Sequence, residues 1–158
     1  MQETTAEGSS DRIGNTLKTE AAHKSRILVV DDNEDSATSL AAMFEILGHE
    51  ARAVFDGIAA VETAESFRPD VVLLDIGLPK MNGLAAARKI RGQSWGQAML
   101  LIAVTGWGGE KDRRQSAEAG FDLHFVKPVD PAALENVLAQ RQRTLPISES
   151  MRRNHDTR

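Results

Sequence analysis

Five side chains able to handle a charged group each follow a short apolar run in this chain. Asp31 and Asp32 follow the run 27–30, Asp75 follows 71–74, Thr105 follows 100–104, and Lys127, with Pro128 after it, follows 125–126. If these runs are parallel strands of one sheet, all five groups meet at its carboxyl edge, where open α/β sheets place their ligand sites. Three crowded carboxylates repel one another and call for a divalent cation. Magnesium, which takes oxygen ligands, suits them. An ammonium and a hydroxyl beside that cation can hold an anion. Carboxylates also serve as nucleophiles that form aspartyl phosphates, and phosphoryl transfer asks mainly for positioning and charge neutralisation. The pattern points to phosphoryl chemistry on an aspartate, with Asp75 as the acceptor.

The intervening sequence supplies the elements that would bring these residues together. Strands are expected at about 26–30, 50–55, 71–74, 99–104 and 122–126. The first helix, about 34–47, carries Ala37, Leu40, Ala41, Phe44 and Leu47 as an apolar stripe, and Gly48 follows it in the usual terminating position. The second opens at Gly57 with Ile58, Val61 and Ala64 directed inward. The third follows the loop through Gly77, Pro79, Asn82 and Gly83, with Leu84, Ala87 and Ile90 buried. The fourth ends at Gly120. The fifth has Asp130 as N-cap and Pro131 in the first helical position. Five βα units with continuously apolar central runs imply strands covered on both faces. The expected fold is an α/β, flavodoxin-like, doubly wound five-stranded parallel sheet of order 2-1-3-4-5 with helices on both faces.

Length and composition set the outer limits. The chain has 158 residues, which suits one domain, and 41% hydrophobic content builds one ordinary core. It divides into a polar extension at 1–24, expected to be disordered, a domain at 25–143, and a disordered tail at 144–158. With no cysteine, disulfides, thiolate zinc sites and cysteine nucleophiles are excluded. A net charge of −4 gives no general electrostatic reason to expect nucleic-acid binding. No apolar run approaches the roughly 20 residues of a membrane span, and the first residues lack a signal-peptide pattern. The expectation is a cytoplasmic protein with no membrane partner, and Met1 with its polar extension reads as the start of an intact small protein.

The acidic pair Asp31-Asp32, the segment Leu74-Asp75-Ile76-Gly77-Leu78-Pro79-Lys80-Met81-Asn82-Gly83, Thr105 with Gly106, and Lys127-Pro128 together resemble the receiver domain of bacterial two-component response regulators. The resemblance runs from about Arg26 to Arg143. It implies that Asp75 accepts a phosphoryl group from a histidine kinase or a histidine phosphotransfer protein. It further implies that Asp32, Asp75 and the Gly77 carbonyl bind Mg2+, with Asp31 acting through water, and that Thr105 and Lys127 bind the phosphoryl group. Movement of Thr105 would then repack the face made by the fourth helix, fifth strand and fifth helix. The Lys127–Pro128 bond is expected to be cis. Output would be protein–protein contact by a monomer or weak dimer with an unknown target.

Two positions depart from the usual pattern or add to it. His124 stands three before Lys127, where the family carries a Tyr or Phe switch residue. An imidazole there would make coupling depend on pH between about 6 and 7.5. Trp107, two past Thr105, could cover the site and slow loss of the phosphoryl group. The competing readings are a relay intermediate or phosphate sink, a receiver fragment of a hybrid histidine kinase and, remotely, a Mg2+-dependent phosphohydrolase. The last lacks support at Gly77, where such enzymes place a second acid, so no substrate turnover is expected.

Overall fold

Three of the helices begin where a short polar side chain takes up a free backbone N–H. Asn33 accepts from the Ser36 N–H at 3.1 Å, Asp56 from Ala59 at 2.8 Å and Asn82 from Ala85 at 2.9 Å. Each cap satisfies a donor that the first helical turn leaves unpaired. The computed structural model describes residues 24–78, 80–106 and 110–141. The two polar extensions, Lys24 apart, and Trp107 lie outside them.

The described chain runs β1 (Arg26–Val30), α1 (Glu34–Ile46), β2 (Glu50–Val54), α2 (Gly57–Phe67), β3 (Val71–Asp75) and α3 (Gly83–Arg91). A single 3-10 turn (Ser94–Gly96), β4 (Leu100–Thr105), α4 (Glu110–Ala119) and β5 (Leu123–Val126) follow. A last helix, α5, covers 131–141 and has Leu134 and Leu138 as its buried positions. All strand pairs are parallel and the order is β2-β1-β3-β4-β5. This is the flavodoxin-like arrangement that the alternation of elements implies.

Alternation along the strands sends their apolar side chains to opposite faces. Leu28, Val30, Val72, Leu74, Leu101 and Ala103 join the helical residues Ala60, Ala64, Ala86, Ala87, Ile90 and Ala119 in one buried cluster. The face carrying Val29, Leu73 and Val104 lies toward α1, which buries Ala37, Ala41 and Phe44. Two expected core positions prove exposed. Ile58 is 45% exposed because Gly57, Ala60, Ala64 and Phe67 form the buried face of α2. Ile58 lies about 160° around the helix from Ala60. Leu47 is 40% exposed because it caps α1 from just past its last turn.

The amino edge of the sheet is closed by side chains that take up strand-end groups. His49 Nδ1 accepts the Ser25 N–H at 3.1 Å, Asp70 accepts the Arg26 N–H at 2.8 Å, and Asp122 accepts the Leu101 N–H at 2.9 Å. Arg91, at the end of α3, donates to four carbonyls, those of Gly96, Gln97, Met99 and Gly120, and pairs with Asp122. One guanidinium thus joins the ends of α3 and α4 to the start of β4. Its rigid fork of donors suits that task, which an ammonium cannot match. Replacing it leaves several part-buried carbonyls unpaired, whereas the half-exposed ion pair to Asp122 contributes little. Arg91→Met is expected to lower unfolding stability by about 2–4 kcal/mol, read as a lower urea midpoint with an unchanged slope.

Candidate functional site

Strand register fixes which side chains meet at the carboxyl edge. Val30 is level with Leu74, Asp75 with Val104, and Thr105 with Val126. Asp31 and Asp75 therefore leave adjacent strands at the same height, and Lys127 follows one residue beyond the partner of Thr105. Carboxylate oxygens of Asp31, Asp32 and Asp75 all lie within 4.8 Å of one another. The sequence-based expectation that these three acids converge is met in space.

Lys127 sits between two of them. Its Nζ donates to Asp75 Oδ2 at 2.8 Å and pairs with Asp31 Oδ2 at 3.2 Å. The Asp75 and Asp31 side chains are 10% and 13% exposed, and Asp32 is exposed. Burial pulls the Lys127 pKa down, but the hydrogen bonds and charges of Asp75 and then Asp31 outweigh it. The ammonium is held above the ordinary lysine range and stays charged. One cation against three carboxylates leaves a net deficit of positive charge, and the donor set is all oxygen. Both properties fit a hard divalent ion.

Backbone groups orient the same carboxylates. The Gly77 N–H donates to Asp75 Oδ1 at 3.0 Å, and the Asn33 N–H donates to Asp31 Oδ1 at 3.0 Å. An Asp carboxylate that accepts the N–H two residues on forms an Asx turn, which sets the Asp31 side chain. Thr105 ends β4 half-buried, with its carbonyl accepting the Lys127 N–H at 2.8 Å. His124 lies half-buried on β5 in register with Ala103. The Lys127–Pro128 bond is cis. A cleft of about 580 Å³ borders Asp31, Asn33, Ser36, Leu40 and Lys127, so Asp31 and Lys127 face open space on the α1 side.

The family model described as the response regulator receiver domain matches residues 27–139. This chain belongs to the response regulator receiver family. Response regulator MprA of Mycobacterium tuberculosis is 32% identical over 120 residues, covering 76% of this chain and 50% of that protein. The alkaline phosphatase synthesis transcriptional regulatory protein PhoP of Bacillus subtilis is 32% identical over 128 residues, covering 78% and 52%. This receiver chain spans about half the length of the curated relatives it matches. Among solved structures, the receiver domain of sensor histidine kinase PA1611 from Pseudomonas aeruginosa is 37% identical with a TM-score of 0.67. The match covers 74% of this chain and 96% of that one, whose active-site cleft coordinates a magnesium ion. Vibrio cholerae chemotaxis protein CheY4, 24% identical with a TM-score of 0.69 over 74% of this chain and 98% of its own, shares the fold.

The strand β3 ends against α3 with no room to spare. A Cβ on Gly83 would overlap the Asp75 carbonyl oxygen, and the Gly83 N–H donates to the Ile76 carbonyl at 2.8 Å. Gly83→Ala is expected to push these backbones apart and cost about 1–3 kcal/mol of stability. Chemical denaturation of the variant measures that loss directly.

Proposed function

We propose that this receiver accepts a phosphoryl group on Asp75 from the phosphohistidine of a histidine kinase or phosphotransfer protein in a Mg2+-dependent reaction. The observation that carries the reading is the convergence of Asp31, Asp32 and Asp75 within 4.8 Å, with Lys127 on two of them. Asp75 Oδ would form the new P–O bond as the P–N bond of the donor breaks. Lys127 and Thr105 would receive the phosphoryl oxygens, which requires the ammonium to exchange part of its present contact with Asp75. Asp32, Asp75 and the Gly77 carbonyl would hold Mg2+, with Asp31 reached through water. The ion would neutralise charge between the acceptor and the incoming group.

Output would run through Thr105 and His124 to the surface of α4 and β5, where a protein target would bind. Leu123 and Val126 on the edge strand β5 are 38% and 44% exposed, apolar area suited to a protein contact. The net charge of −4 favours protein over nucleic acid as the partner. Among the described residues no helix is long and apolar enough to cross a membrane, and we place the protein in the cytoplasm as a stand-alone regulator, monomeric or weakly dimeric. It would be a switch without substrate turnover, since Gly77 brings no second acid to the site. A second reading, a receiver serving a hybrid kinase or a phosphorelay, draws on the 37% identity to a sensor kinase's receiver. Return of label from Asp75 to a histidine phosphotransfer protein separates it from the first.

Phosphotransfer profiling against histidine kinases is expected to label the wild type and leave Asp75→Asn unlabelled. Label on Asp75→Asn would overturn the acceptor assignment. Magnesium at 100 times its Kd is expected to raise unfolding stability by about 2.7 kcal/mol. The rise should largely vanish in Asp32→Asn, read from thermal or urea unfolding with and without the ion.

A further inference from the structure

The loop between β3 and α3 carries Gly77, whose N–H holds Asp75 Oδ1. Its C-terminal end is fixed by the close approach of Gly83 to the Asp75 backbone. Two residues earlier it rests on a different element, the head of α2. There a Cβ on Gly57 would overlap the Met81 carbonyl, so the loop lies directly on the first turn of that helix. Lys80 takes φ 66°, a left-handed conformation uncommon for a residue with a Cβ. Such a conformation persists when surrounding contacts over-determine it. The Lys80 side chain makes an ion pair from its Nζ to Asp56 Oδ2 at 3.7 Å. Asp56 is itself fixed, because its Oδ1 caps α2 through the Ala59 N–H at 2.8 Å. From the helix end at Asp56 the path thus runs through Lys80, Met81 and Asn82 to Gly83, whose N–H donates to the Ile76 carbonyl at 2.8 Å beside Gly77.

We propose that Lys80 is a positioning residue for the acceptor site, holding Met81 and Asn82, and through the contact of Gly83 with Ile76 the Gly77 backbone, against Asp75 by way of the Asp56 cap of α2. The pair acts through placement and touches neither the phosphoryl group nor the ion. Lys80 is 67% exposed at its side chain, so the effect is that of an exposed pair, a few-fold in rate or protection. This inference rests on the reading of Asp75 as acceptor, and its test separates the two.

The test uses the full-length chain as wild type, Lys80→Gln, Asp56→Asn and the double variant; asparagine keeps the helix cap and removes the charge. Amide hydrogen exchange at Gly77, measured without metal, is expected to quicken about two- to fivefold in either single variant and no further in the double. Phosphorylation by a small acyl phosphate with Mg2+ should slow by the same factor, while the urea midpoint stays within error of wild type. Gly77 exchange unchanged in both single variants, or multiplying in the double, overturns the proposal. Exchange that responds as expected in a wild type that takes no phosphoryl group upholds the latch and removes the acceptor reading instead.

Discussion

Like charges forced together at a sheet edge set the terms for the rest of this molecule. Parallel register holds Asp31 and Asp75 at one height, and Asp32 joins them within 4.8 Å. Two unit charges about 4 Å apart repel by about 4 kcal/mol at an effective dielectric constant of 20, which is large beside the stability of a small domain. Lys127 relieves part of that repulsion by contacting two of the three acids. The remainder is an unmet demand for positive charge, which suits this edge to a divalent ion. The same ammonium would have to serve an incoming phosphoryl group, so the resting contact and the phosphorylated one compete for it.

The two edges of the sheet answer opposite requirements. At the carboxyl edge the strands end in charge, and backbone is brought very close by glycine: Gly83 under Asp75 and Gly57 under Met81. Those approaches leave the loop little freedom to drift from Asp75. At the amino edge, loop side chains neutralise the strand ends instead. His49, Asp70 and Asp122 each take one N–H in or just before a strand, and Arg91 gathers carbonyls from two loops. One edge is held stable by satisfied hydrogen bonds, and the other keeps an imbalance available for chemistry.

Membership of the receiver family and the geometry of the pocket support each other through different evidence. Family membership rests on similarity along 27–139, whereas the pocket rests on distances among a few side chains. Neither depends on the Lys80–Asp56 pair, which is particular to the way this loop meets α2. Such a pair joins two loops through an exposed contact, so its influence is graded, as befits tuning of a site whose essential groups lie elsewhere.

The sequence by itself determined the order of elements and the identity of the acids, hydroxyl and lysine at the carboxyl edge. Each strand is an apolar run bounded by turn residues, and each chemical group sits one or two steps past such a run, a pattern local enough to read directly. Helix faces were legible less fully: Ile58 fits an apolar stripe on paper, but packing of α2 through Ala60 and Ala64 turned it to solvent. Arg91 and His49 carry no local signal, because Gly120 and Ser25, to which they bond, lie on segments remote in sequence. The same holds for Lys80, whose left-handed backbone and partner Asp56 arise only when the loop meets α2. Tertiary structure alone decided that Lys127 bridges Asp31 and Asp75, since that distance depends on the register of four strands and no stretch of sequence encodes it.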